Sequence, residues 1–238
     1  MSTYAHDDRV MVSPRYMAGA GDRIADVIGP LIHLFGWKHD ATTGHVAIDS
    51  PDASVHINFD PLHPRGQWLT VAHHEPYWKA TFSRQAPLEA VAAVTQALPQ
   101  LLGDARHADR IPITDMSLDK LAELNGWSAE DGVLTSPDLY CRMEHMPAEE
   151  IAWQVEHVYF EGAPLATFTQ DTPECLVGQF FSHLTAPMAV ERAYADIPLS
   201  TLHGKSALIT PVRGTAVNPH VHRALAQLDH PNRPGRRR

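Results

Sequence analysis

The chain has 238 residues, 44% of them hydrophobic and 20% charged, enough for one large globular domain or two small ones. No stretch approaches the ~20 apolar residues of a membrane span, and Met1-Ser2-Thr3-Tyr4-Ala5-His6-Asp7-Asp8 has neither the basic start nor the apolar run of a secretory leader. Cys141 and Cys175 cannot build a disulfide framework or a four-cysteine metal centre, so they read as reduced thiols of a cytoplasmic protein.

Charge is unevenly spread. The whole chain carries −9 with His neutral, but residues 220–238 hold five Arg against one Asp, leaving −13 on residues 1–219. An acidic body with a basic tail is a poor footprint for general nucleic-acid binding, which needs a clustered positive field. The 16 histidines would soften the negative charge as they protonate near pH ~6.

In chain order, residues 1–21 form an N-terminal extension in which Val10-Met11-Val12 reads as a short strand. An internal repeat then organises the chain. Gly36-Trp37 recurs as Gly126-Trp127, Ser50-Pro51-Asp52 as Ser136-Pro137-Asp138, Ala80-Thr81-Phe82 as Ala166-Thr167-Phe168, and Pro87 as Pro173. From Ser-Pro-Asp onward the offset is 86 residues, apart from Trp68 and Trp153, which differ by 85 and imply a one-residue slip.

Each copy predicts the same elements. Ile24, Val27, Ile28, Leu31 and Phe35 have helical spacing, echoed by Leu118, Leu121 and Leu124, and each helix stops at the Gly of Gly-Trp. A first strand follows at 45–49 or 132–135, then a Ser-Pro-Asp turn. A second strand lies at 55–59, alternating apolar and polar residues, or at 141–144. The third strand starts at Trp68 or Trp153, and the fourth covers 78–82 or 165–168. A closing helix begins at Pro87 or Pro173, with Val91, Val94, Thr95 and Leu98, or Val177, Phe180, Phe181 and Leu184, on its apolar face. The expected fold is α+β: two tandem modules, residues 22–102 and 115–192, each helix, four-stranded antiparallel sheet, helix, with one sheet face open. Residues 103–114 read as a linker and 193–228 as a C-terminal segment with one helical turn at 224–228. Residues 229–238 read as a disordered basic tail.

Gly36, Trp37, Ser50, Pro51, Asp52, Trp68, Ala80, Thr81, Phe82 and Pro87, with their second set, resemble an actinobacterial domain family of unknown function, number 317, often present as two copies per chain. Residues 9–19 resemble the family's opening, and the likeness covers residues 9–190. It implies a repeated fold unit and no assigned activity. Copy two has Pro164 where copy one has Trp78, so a role for that Trp is confined to copy one.

Catalytic signatures are missing from the sequence. Gly19-Ala20-Gly21 lacks the third glycine of a dinucleotide turn, and Gly204-Lys205-Ser206 lacks the glycine that opens a phosphate loop. His73 and His74 would point to opposite strand faces, and His220 and His222 lack a third ligand. With an 86-residue offset His56 aligns with Arg142 and His157 with Val71, so the strand histidines are not duplicated and read as structural or surface residues. Asp52 and Asp138 could form an acid–base pair, but turn capping is the simpler use of an Asp after Ser-Pro. Trp37, Trp127, Trp68, Trp78, Trp153, Phe82 and Phe168 read as core, and stacking of bases on the sheet is the alternative that would need Trp68 or Trp78 on the open face. No metal or cofactor is expected.

These readings favour a non-catalytic binding protein working through open sheet faces or edges. Residues 115–192 hold 14 acidic and three basic residues, a field suited to a basic protein partner. The alternative is single-stranded nucleic acid on module 1, by analogy with PUR and Whirly folds, using His56, Arg65, Trp68, Trp78, Lys79 and Arg84. A second copy of the chain is a further allowed partner; a membrane is not.

Overall fold

The computed structural model describes residues 4–42, 44–63, 67–158, 164–203 and 206–212. Arg65, His220, His222, the turn expected at 224–228 and the tail at 229–238 lie outside them.

β1 (Arg9–Ser13) leads through a 3-10 turn (Arg15–Met17) to α1 (Ala25–Phe35). Five strands follow: β2 (Lys38–Thr42), β3 (His45–Asp49), β4 (Val55–Phe59), β5 (Leu69–His74) and β6 (Tyr77–Phe82), closed by α2 (Leu88–Leu101). The second half repeats this order with α3 (Leu118–Leu124), β7 (Ser128–Glu130), β8 (Val133–Thr135), β9 (Cys141–His145), β10 (Ile151–His157), β11 (Ala166–Thr169) and α4 (Glu174–Thr185). β12 (Val190–Ala193), α5 (Leu199–His203) and β13 (Leu208–Pro211) complete the described chain. No helix among the described residues is long and apolar enough to cross a membrane.

The class is α+β with antiparallel sheets, as the sequence predicts, but each half has five strands rather than four. The added strands, β2 and β7, follow Gly-Trp directly and pair with β3 and β8. Every residue of both is exposed, so neither shows the apolar alternation that marks a half-buried strand.

The two halves share one sheet. Its order is β2-β3-β4-β5-β6-β11-β10-β9-β8-β7, ten strands in all. At the seam Phe82 pairs with Ala166, Thr81 with Thr167 and Ala80 with Phe168. Exchanging residues 86 apart maps this register onto itself, so a local twofold axis passes between Thr81 and Thr167, whose hydroxyls lie 2.5 Å apart. Outside that pairing, Ser83 N–H donates to Leu165 O at 2.9 Å and Lys79 N–H to Thr169 Oγ1 at 2.8 Å.

One core underlies the whole sheet. Alternate strand residues, among them Ile57, Val71, Ala80, Phe82, Met143, Val155 and Phe168, pack with the buried stripes of α1, α2, α3 and α4. The stripes are the expected ones: Val91, Val94, Thr95 and Leu98 are inaccessible on α2, as are Phe180, Phe181 and Leu184 on α4. α1 and α3 both end at a glycine in the left-handed region, Gly36 at φ 71° and Gly126 at φ 72°.

Val10-Met11-Val12 does form a strand, but its partners come from the far end of the chain. β1 lies between β12 and β13 in a separate three-stranded sheet with its own small core of Val10, Val12, Ala18, Val190 and Ile197. This sheet is tied to α2 by Arg192, whose guanidinium forks onto Glu89 at 2.9 and 2.6 Å and also bonds Gly19 O.

Candidate functional site

The four helices cover one face of the ten-stranded sheet. On the other face the alternate strand positions are exposed or half-exposed. In the first half they include His56 and Asn58 on β4, Thr70, Ala72 and His74 on β5, and Tyr77, Lys79 and Thr81 on β6. In the second half they include Thr135, Arg142, Glu144, Gln154, Glu156 and Thr167.

The register goes against the alternative of an aromatic platform and with the core reading. Trp68 and Trp78 are 4% and 2% exposed, not displayed. Trp78 alternates with Ala80 and Phe82 along β6, and those two point into the core, so Trp78 must follow them. Its ring stacks on His73 with centroids 5.7 Å apart, while Trp68 packs edge-on to Phe59 at 5.2 Å. The same alternation was present in Trp78-Lys79-Ala80-Thr81-Phe82 and could have placed Trp78.

The other expected surface residues separate. His56 and Lys79 stand on the open face, and His56 Nδ1 hydrogen-bonds Asp49 Oδ1. Arg84 lies past the end of β6 and pairs with Asp196 at 3.3 Å, facing the C-terminal segment. On the second half Arg142 joins two acids, with Nε 2.7 Å from Glu156 and Nη2 3.6 Å from Glu144. Gln154 Nε2 also donates to Glu156, at 2.9 Å. The second half therefore offers an ordered acidic cluster, the first a mixed patch of His, Lys and Thr.

The Ser-Pro-Asp pairs close turns in the same way twice. Ser50 Oγ donates to Asp52 Oδ1 at 2.6 Å and accepts from Val55 N–H at 3.0 Å. Ser136 Oγ donates to Asp138 Oδ1 at 2.7 Å and accepts from Cys141 N–H at 2.9 Å. Both turns hold a non-glycine residue at positive φ, Ala53 at 58° and Leu139 at 61°. Hydrogen bonds from Ser50 and Ser54 hold the Asp52 carboxyl down at about 2, keeping it ionised as a turn acceptor.

Strand pairing also revises the alignment of the histidines. His73 pairs with Val55 and His157 with Cys141, and Val55 and Cys141 are 86 apart. His73 and His157 are thus structural equivalents, 84 residues apart. Trp153, opposite His145, takes the place of Leu69, opposite Phe59. The link between β9 and β10 is two residues shorter than its counterpart and the link between β10 and β11 two longer, which restores the 86-residue offset at Phe168. The one-residue slip inferred from Trp68 and Trp153 matched two side chains that are not equivalent.

Both equivalent histidines lie on the covered face. His73 Nδ1 is 2.8 Å from Pro76 O. His157 Nε2 donates to Tyr16 O at 2.8 Å, its ring packs against Tyr140 at 4.8 Å, and its Nδ1 has no hydrogen-bond partner among the described residues. Among the described residues no group of three or more His, Cys, Asp and Glu side chains could hold a metal. Burial raises the Cys141 thiol well above its usual range, which suits a packing role.

Burial lowers His157 to about 4 from 6.5. The unfolded chain then binds a proton that the folded chain refuses, so this contribution to stability is complete above pH ~6.5 and is lost as pH falls towards ~4. The loss amounts to about 3 kcal/mol. His183, also lowered by burial, acts in the same direction. Urea unfolding at pH 7 and pH 4.5 should show the drop. His157→Leu should weaken the protein at pH 7, by orphaning Tyr16 O, yet flatten the profile.

Two stretches, residues 49–100 and 135–190, match one family model, and both begin one residue before Ser-Pro-Asp. The chain carries two SPDY domains. The SPDY domain is a domain of unknown function, DUF317. In this chain the two matched stretches run from the end of β3 into α2 and from the end of β8 through α4 to the start of β12, so they include the seam strands β6 and β11. The α1–β2 and α3–β7 units lie before each matched stretch, although the structure packs them into the same sheet and core. No curated protein and no solved structure matches the chain.

Proposed function

We propose that the protein is a non-catalytic binding module, built from one doubled unit, that engages another protein through the uncovered face of its ten-stranded sheet. The observation that carries this is the continuity of that face across both SPDY domains: one polar surface with ordered ion pairs at Arg142, Glu144 and Glu156. A wide surface of half-exposed Thr, His, Gln and charged side chains suits protein recognition, where a polar rim and electrostatic complementarity set the partner. The acidic balance of residues 115–192 favours a basic one. Single-strand binding is the weaker reading, because Trp68 and Trp78 face the core and, among the described residues, leave Tyr77 as the aromatic on the open side.

The test is capture with immobilised wild-type protein against Glu144→Lys/Glu156→Lys, followed by mass spectrometry. Specific proteins, more basic than the background and eluted by salt, should be retained by wild type and lost from the variant. Identical captures, or retained material that nuclease releases, would overturn the proposal.

A further inference from the structure

The repeat supplies an internal control for packing. Around the first helix of each half, positions are matched by Gly36-Trp37 and Gly126-Trp127, an offset of 90 that also aligns buried Leu31 with buried Leu121. Around the closing helices the offset is 86. In the first half, Val27 of α1 and Leu88 of α2 are 0% and 5% exposed, and Ala92 of α2 packs against the same core. The second half has Ser117, Glu174 and Gly178 at these places. α3 is also shorter than α1, seven residues against 11. Leu69, fully buried, is replaced by Trp153, which is only partly buried and stacks on His145 with centroids 4.2 Å apart.

Here lies a cavity of about 240 Å³ between α3 and α4, lined by Trp153, Leu118, Val177, Gly178 and Met116, with the polar Ser117, Asp119 and Glu174 completing it. It is below the ~300 Å³ at which small-molecule sites begin, and matches one inserted side chain better than a cofactor. Its aromatic and aliphatic lining is the chemistry that holds an anchor residue. Neither Asp119 nor Glu174 takes part in an ion pair among the described residues.

We propose that this cavity anchors a partner polypeptide that inserts one large apolar side chain and places Lys or Arg beside it, against Asp119 and Glu174. The site rests on the protein-binding reading but lies on the helix side, opposite the sheet face invoked above, so the two can fail separately.

The test follows the Trp153 indole N–H by 1H–15N NMR while the peptide Gly-Lys-Arg-Leu-Arg-Lys-Gly is titrated into the full chain. A saturable shift is expected. Leu→Ala in the peptide should weaken binding ~10-fold or more, as burial of one Leu implies, and Glu in place of the basic residues should abolish it. Glu174→Leu/Gly178→Ala restores the residues of the first half. It should remove the shift; the added Cβ at 178 lies 3.3 Å from Thr114 Cγ2, so that methyl must give way by a few tenths of an ångström, and a melting curve checks that the variant is folded. Glu144→Lys/Glu156→Lys should bind the peptide like wild type. An unmoved Trp153 signal at millimolar peptide, equal shifts with the Ala or Glu peptides, or an undiminished shift in the filled variant would overturn the anchor site. None of these outcomes touches the sheet-face proposal.

Discussion

Phe180→Ala should lower stability by about 3–5 kcal/mol and melt both halves together. Phe180 of α4 is inaccessible to solvent. Its ring meets Phe82 of β6 and Phe168 of β11, each with centroids 5.5 Å away, and those two lie 5.8 Å apart edge to face. The three rings thus sit beneath the seam, one from the first half and two from the second. Truncation leaves a cavity that the paired strands cannot collapse around without breaking the Ala80–Phe168 and Phe82–Ala166 register. Calorimetry should give one endotherm, lower by roughly 6–20 °C for a chain of this size. Two separated transitions, with only the second half destabilised, would show that the halves fold independently.

The second large effect is expected from Arg192→Met. Arg192 is 6% exposed at its side chain and its partner Glu89 31%. The guanidinium also satisfies Gly19 O and Glu191 O. Burial alone would raise the Glu89 carboxyl, but the Arg192 fork overrides it and the net shift is downward. Removing the arginine leaves the Glu89 carboxyl with its own backbone N–H and the field of Arg15, and orphans the buried Gly19 carbonyl. A loss of about 3–5 kcal/mol follows, because one partner of a buried pair is left uncompensated. Pairing the change with Glu89→Gln should recover part of it, the signature of direct coupling. Urea titration of the four proteins completes the cycle; additive losses would refute the coupling. Gly21 is constrained by the same group, since a Cβ there would lie 2.8 Å from Arg192 Cδ at a φ of 69°.

Of the candidate surface, the alternation of Val55–Phe59 makes His56 legible as a residue of the wet face, whereas Lys79 reads only as lying on or near the sheet. For Trp68 and Trp78 the sequence favours the core and leaves the open face as the alternative, and both side chains are buried. The acidic cluster at Arg142, Glu144 and Glu156 was hidden. Its members come from two strands, and only the pairing of β9 with β10 brings them side by side. The cavity at Trp153 was hidden too, since it depends on which residues of α3, α4 and β10 are neighbours in space.

What the amino-acid order determined by itself is local. It set the helix ends at Gly36 and Gly126, the Ser-Pro-Asp turns, the buried stripes of α2 and α4, and the repetition of all of these, because backbone freedom, turn capping and periodic burial act over a few residues. Tertiary structure alone decided that β6 joins β11, that β2 and β7 extend the sheet while fully exposed, that β1 pairs with strands from the chain's far end, and that His73 answers to His157. Those choices are made by edge hydrogen bonds between peptide groups, which every residue but proline carries in full, so no side-chain pattern records them.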